Sequence, residues 1–156
     1  MCKSLTLDVI LSEHPFFKGL KPEQLKFIAG CASNVRFDAG EFLLREGEEA
    51  NKFYVIRAGR VSIEVYSPKH GAIIIQTVTE GDVLGWSWLF PPYRDHFDAK
   101  ALELTRAISL DAKCLRNKCE EDHDLGYELM KRFSKVMIQR LQSTRLQLVG
   151  LYPENG

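Results

Sequence analysis

No stretch of this 156-residue chain is apolar for the ~20 residues that a membrane helix needs. Net charge is missing too, since 21 Lys and Arg balance 21 Asp and Glu. No overall field therefore draws the chain to DNA or to an acidic membrane. Cysteine is scarce. The four present (Cys2, Cys31, Cys114 and Cys119) are irregularly spaced, unlike a disulfide framework, and Cys114 and Cys119 are expected to be buried structural cysteines. The start, Met1 to Thr6, lacks the apolar run and small-residue cleavage site of a secretory signal. These absences read together as a cytoplasmic protein with no membrane partner.

The chemistry of catalysis is equally thin. The four histidines His14, His70, His96 and His123 stand apart, so they form no strand-borne metal cluster, and no Ser-His-Asp or paired-acid set can be argued from their order. Cys114, Cys119 and His123 have a loose spacing and lack obvious further metal ligands. The expectation is that the chain is not an enzyme and holds no metal.

What is present is an ordinary core-forming composition, 45% hydrophobic and 27% charged, which suits one domain over residues 1–156. The N-terminal part, 1–34, reads helical: Leu5 to Leu11 is an apolar run, and Pro22 to Ala29 opens on a proline and stops before Gly30. From Val35 to Asp111 the pattern becomes short β-favouring runs punctuated by Gly40, Gly47, Gly59, Gly71 and Gly81, as in an antiparallel sandwich or roll. Ala58-Gly59 reads as a tight hairpin. Residues 112–149 read as a short helix and then a long one of ~40 Å from His123. On the long helix Leu125, Leu129, Phe133 and Val136 form one stripe. Met130, Ser134, Met137, Leu141, Thr144 and Leu148 form a second at heptad spacing. The first is expected to pack on the roll. The second is left uncovered, which predicts a homodimer through Met130, Met137, Leu141, Thr144 and Leu148.

The segment Phe37 to Ile63 resembles the first half of the cyclic-nucleotide-binding domain, the family of the catabolite activator protein, FNR-type regulators and kinase regulatory subunits. The likeness is carried by Gly40, Leu43, Gly47, Glu48, Phe53, Tyr54, Ile56, Gly59, Val61 and Ile63. Val78 to Gly85 resembles the run into that family's phosphate-binding cassette. The resemblance implies a mainly β fold, a double-stranded β-helix or jelly-roll β-roll with N-terminal helices and a long C-terminal helix. It also implies a regulatory, ligand-sensing role, with signalling through the dimer helix to a partner protein.

The cassette departs from the family pattern. The family places Glu after the last glycine, to accept the ribose hydroxyl, and Arg about ten residues on, for the cyclic phosphate. Here Trp86 and His96 stand there. Indole only donates, and neutral imidazole gives no bidentate grip on phosphate, so the ligand need not be cyclic AMP or cyclic GMP. The candidate ligand contacts are Gly85, Trp86, Ser87, Trp88, Arg94, His96 and Phe97, suited to a nucleotide or another planar or anionic molecule. In the alternative, Trp86 fills the site and the chain is an interaction module without a small ligand. The activators of this family carry a helix-turn-helix after the long helix. Only about seven residues follow Val149, too few for one, so direct DNA binding is not expected.

Overall fold

The computed structural model describes residues 7–151. Two helices, α1 (Leu7–Glu13) and α2 (Pro22–Ala29), lead into eight strands: β1 (Ala32–Phe37), β2 (Phe42–Leu44), β3 (Lys52–Ala58), β4 (Arg60–Ser67), β5 (Gly71–Thr79), β6 (Val83–Leu84), β7 (Asp98–Ala101) and β8 (Thr105–Asp111). Then come α3 (Ala112–Glu121) and α4 (His123–Gly150). The strands pair antiparallel in two sheets, ordered β1-β8-β3-β6 and β2-β7-β4-β5. This is the jelly-roll with flanking helices that the family resemblance implied. Strand β1 begins three residues before Val35, and Leu5 of the expected first helix lies outside the described residues.

The run Phe53-Tyr54-Val55-Ile56 is apolar throughout because its sheet is covered on both faces. Strand periodicity sends Phe53 and Val55 to the helix-side core and Tyr54 and Ile56 into the roll. On the helix side Phe16, Phe17, Phe53, Trp88 and Phe133 make an aromatic cluster, with Phe53 stacked on Trp88 at 5.5 Å and edge-on to Phe133 at 5.1 Å. Full burial of one such side chain contributes about 1.5–3 kcal/mol, so this cluster holds α4 to the roll. Leu125, Leu129 and Phe133 are the buried stripe of α4, as expected. Asp111 caps α3 through Cys114 N at 2.7 Å, and Asp122 caps α4 through Leu125 N at 3.2 Å, so the two helices break at Asp122.

Two expectations need correction. Ala58-Gly59 is not a hairpin: β3 and β4 lie in different sheets, and Gly59 is the corner where the chain crosses between them. Its φ is +107°, and a β-carbon there would lie 2.5 Å from Thr105 Oγ1 and 2.7 Å from Leu104 O. Nor are Cys31 and Cys114 thiols. They form a disulfide with Cα atoms 5.7 Å apart, joining the start of β1 to α3. That bond removes the cysteine part of the argument for a cytoplasmic location.

Candidate ligand-binding site

Gly85 carries the chain out of β6 with φ +96°, a conformation that glycine enters freely. A β-carbon at Gly85 would meet Lys52 O at 3.4 Å, so the backbone runs tight against β3. Trp86 follows, half-buried and packed against both cores. Its ring lies 5.9 Å from that of Phe97, which is buried in the roll. Ser87 is buried beside it. The turn Ser87–Leu89 is only three residues long, and Leu89 N already donates to Trp86 O at 3.0 Å. The N–H groups after Gly85 therefore have no helix dipole behind them.

The other expected contacts are placed differently. The Trp88 ring is wholly buried in the helix-side core, and its carbonyl accepts a hydrogen bond from Arg116 Nη1 at 2.8 Å. Arg94 and His96, two residues apart, share one side of an extended segment, and that side is the exposed one. Arg94 Nη1 donates to Gly47 O at 3.4 Å. Backbone bonds Gly47 N to Asp95 O and Asp95 N to Glu48 O, at 2.8 and 3.0 Å, zip this segment to the 45–50 loop.

Two residues at the site escaped the sequence reading. Asp95 alternates with Arg94 and His96 and so points inward, where burial and then the charge of Glu48 push its carboxyl up to about 6. Burial and then Asp95 push Tyr54 up to about 12. The second is Arg140 of α4. Its guanidinium carbon sits 4.8 Å from the centroid of the Trp86 ring, and Nη2 donates to Val83 O. The side chain is buried, which pulls its pKa down to about 10 and leaves it charged at neutral pH. Nη1 is buried with no partner. Arg140 stands four residues after Val136 and so extends the roll-facing stripe of α4; that spacing was the available signal.

The outward stripe is mixed. Met130, Leu141, Thr144 and Leu148 are exposed, while Met137 is half-buried against the helix-side core. Tyr127, Ile138, Leu146 and Val149 add further exposed apolar surface to α4. Among the described residues no helix is long and apolar enough to cross a membrane, and no group of three or more His, Cys, Asp or Glu is placed to hold a metal ion.

The fold is a jelly-roll whose glycine-led loop is packed beneath a long C-terminal helix. The profile of the family described as "Cyclic nucleotide-binding domain" matches residues 34–122, and the chain belongs to that family, in its catabolite activator and FNR type. The family is regulatory and not itself catalytic. The chain is 25% identical over 145 residues to a CRP-like cAMP-activated global transcriptional regulator of Mycobacterium tuberculosis, covering 93% of this chain and 63% of that one. It is 32% identical over 78 residues to a cAMP-dependent protein kinase regulatory subunit of Schizosaccharomyces pombe, covering 50% of this chain and 18% of that one. Among solved structures, a cyclic nucleotide-binding domain from Methylobacillus flagellatus superposes with a TM-score of 0.79 at 16% identity, over 96% of this chain and 84% of that one. The sensor domain of the Pseudomonas aeruginosa transcriptional regulator DNR gives 0.69 at 22%, over 86% and 91%. At these identities the two structures speak for the fold. The chain thus spans less than two thirds of the length of the curated relatives it matches.

Proposed function

We propose that the chain is a sensor domain whose ligand face comprises Gly85, Trp86, Ser87 and Phe97 capped by Arg140. It acts as a homodimer through the outward stripe of α4 on a partner protein. The observation that carries this reading is the guanidinium of Arg140 over Trp86 with one buried nitrogen, Nη1, left unpaired. A buried charged donor without an acceptor is costly. A planar ligand with an acceptor or negative group, lying on Trp86 and meeting Arg140, relieves that cost. Arg94 and His96 are kept as outer contacts, reached only by a ligand that extends to the surface of the loop. Trp88 contributes its backbone.

Cyclic AMP and cyclic GMP fit this face poorly. Trp86 occupies the position of the ribose-binding carboxylate, and His96 that of the phosphate-binding Arg. Losing two charge-assisted hydrogen bonds of ~1.5–3 kcal/mol each weakens binding on the order of a hundred- to ten-thousand-fold. The second reading, a roll sealed by Trp86 and used as an interaction module, is favoured by the packing of that ring on both cores.

A thermal-shift screen of planar anions and nucleotides separates the two. Hits that weaken with Trp86→Ala and with Arg140→Gln support the sensor. Hits indifferent to both substitutions, or no hits in a broad screen, favour the sealed module.

A further inference from the structure

Helix α4 also walls a cleft of about 650 Å³, closed on the other sides by β5, β6 and the Pro15–Lys18 turn. Five cations line it, Lys18, Lys131, Arg132, Lys135 and Arg140, against the carboxylates of Asp82 and Glu128. Both carboxylates are already engaged. Asp82 Oδ2 accepts from Thr79 N at 2.9 Å, and Glu128 is shared between Lys131 at 3.4 Å and Arg132 at 3.8 Å. Among the described residues no carboxylate pairs with Lys18, Lys135 or Arg140.

The walls are held in place by arginine. Arg132 Nη1 donates to Phe16 O at 2.6 Å and to Lys18 O at 2.9 Å, tying the N-terminal turn to α4, and Arg140 ties α4 to β6. The cations are thus gathered before any ligand arrives, and their repulsion is offset only in part, by Glu128 beside Lys131 and Arg132 and by Asp82 near Arg140. A concave site with five cations against two carboxylates carries an excess of positive charge that concentrates anions. Its size is that of a small-molecule site, not of a flat protein interface. The lysine ammoniums at the rim act as point charges, which suit phosphate better than they suit a planar carboxylate. Phe16, Val78 and Val136 supply an apolar wall for the rest of a ligand.

We propose that this cleft binds an organic phosphate with at least two negative charges, its phosphate oxygens held by Lys18, Lys131 and Lys135. The cleft shares Arg140 with the Trp86 face, but its three lysines stand apart from that face and the proposal does not rest on the sensor reading. The test is calorimetric titration of the full chain with inorganic pyrophosphate, a probe without a ring, with sulfate at matched ionic strength as comparison. Pyrophosphate is expected to bind once per chain, to outcompete sulfate, and to lose about tenfold in affinity in Lys135→Gln and in Lys18→Gln. All three lysines are exposed, so these variants keep the fold. Lys113→Gln removes the same charge from the exposed face of α3, outside the cleft, and is expected to leave the affinity unchanged. Absence of binding, equal binding of sulfate, or an equal loss in Lys113→Gln overturns the proposal. So does binding of a poly-glutamate peptide in place of pyrophosphate, which makes the cleft a docking site for an acidic protein segment.

Discussion

Replacing Asp95 with asparagine is expected to stabilise the protein at pH 7.5 and to do little at pH 4. In the fold the Asp95 carboxyl is raised from 3.8 to about 6, first by burial and then by Glu48. An acid raised on folding binds its proton more tightly in the native state, so ionisation opposes folding. The penalty is absent below the unfolded value near 4, grows as pH rises through the window from about 4 to 6, and is complete above it. A shift of roughly two units corresponds to about 3 kcal/mol at full ionisation, of which about 2–3 kcal/mol separates pH 7.5 from pH 4. His14 works in the opposite sense. Burial lowers its pKa while its ring bridges Phe16 N and Ile56 O, both at 3.2 Å, so its contribution is lost as pH falls below about 6.5. The pH profile of the unmodified chain mixes the two. Subtracting the Asp95→Asn profile cancels His14 and leaves any fixed packing cost of the new amide as a pH-independent offset, so the change in the gap between pH 4 and 7.5 reports Asp95 alone. Urea unfolding at both pH values and one protein concentration measures the difference. A gap between the two proteins that stays constant from pH 4 to 7.5 would refute the assignment of a buried, raised carboxyl to Asp95.

Gly59→Ala is expected to cost several kcal/mol, more than the usual ~1 kcal/mol for a point substitution, because the new methyl collides with backbone as well as with Thr105. A thermal melt within a few degrees of the parent protein would contradict the sheet-crossing corner. Cys31→Ser is expected to lose up to ~4.5 kcal/mol under oxidising conditions, since the bond closes a sequence separation of 83 residues, and to lose much less in reductant. Equal stability with and without reductant in the parent chain argues against the bond. Leu141→Glu, at an exposed position, is expected to yield monomers without loss of helix by circular dichroism. Light scattering that finds the parent chain monomeric at tens of micromolar, a concentration where a typical homodimer is formed, removes the dimer from the proposal.

The order of elements was legible because each carries its own period: alternation along β4, four-residue steps along α4, glycine at the turns. What the period does not encode is which sheet the next strand joins. Gly59 fits a hairpin and a corner equally well, since both need a positive φ, and only the pairing of β3 with β8 and of β4 with β5 separates them. Ser62 shows the same limit. It stands at a nominally wet position of β4 yet is buried, its hydroxyl directed to Lys100 O on the neighbouring strand at 3.4 Å. The disulfide was invisible for another reason. Spacing reports local frameworks, and Cys31 meets Cys114 only because α2 and α3 pack on the same core. At the candidate site the aromatic, glycine-led segment stood out by composition. The two tryptophans, one residue apart from adjacency, nevertheless divide between different environments: the turn after Gly85 sends Trp88 to Phe53 and leaves Trp86 at the edge of both cores.

That division bears on how a ligand could be reported. Trp88 is stacked into the cluster that holds α4, so disturbing it costs packing energy on the scale of the fold, about 3–5 kcal/mol for removal of such a ring. An equilibrium between two functional states cannot draw on an interaction that large, since couplings between sites typically amount to 1–3 kcal/mol. Arg140 offers a link of the right size. It rests on Trp86 through one cation–π contact and one hydrogen bond to Val83 O, and the same residue's carbonyl accepts from the Thr144 hydroxyl at 2.9 Å. Thr144 lies on the outward stripe, one turn from Leu141 and Leu148. A ligand that draws the guanidinium off Trp86 exchanges contacts worth roughly 1–3 kcal/mol within one helical turn of the proposed dimer surface. In the proposed sensor the aromatic cluster therefore serves as the fixed support of α4, and Arg140 as the contact that a ligand can shift.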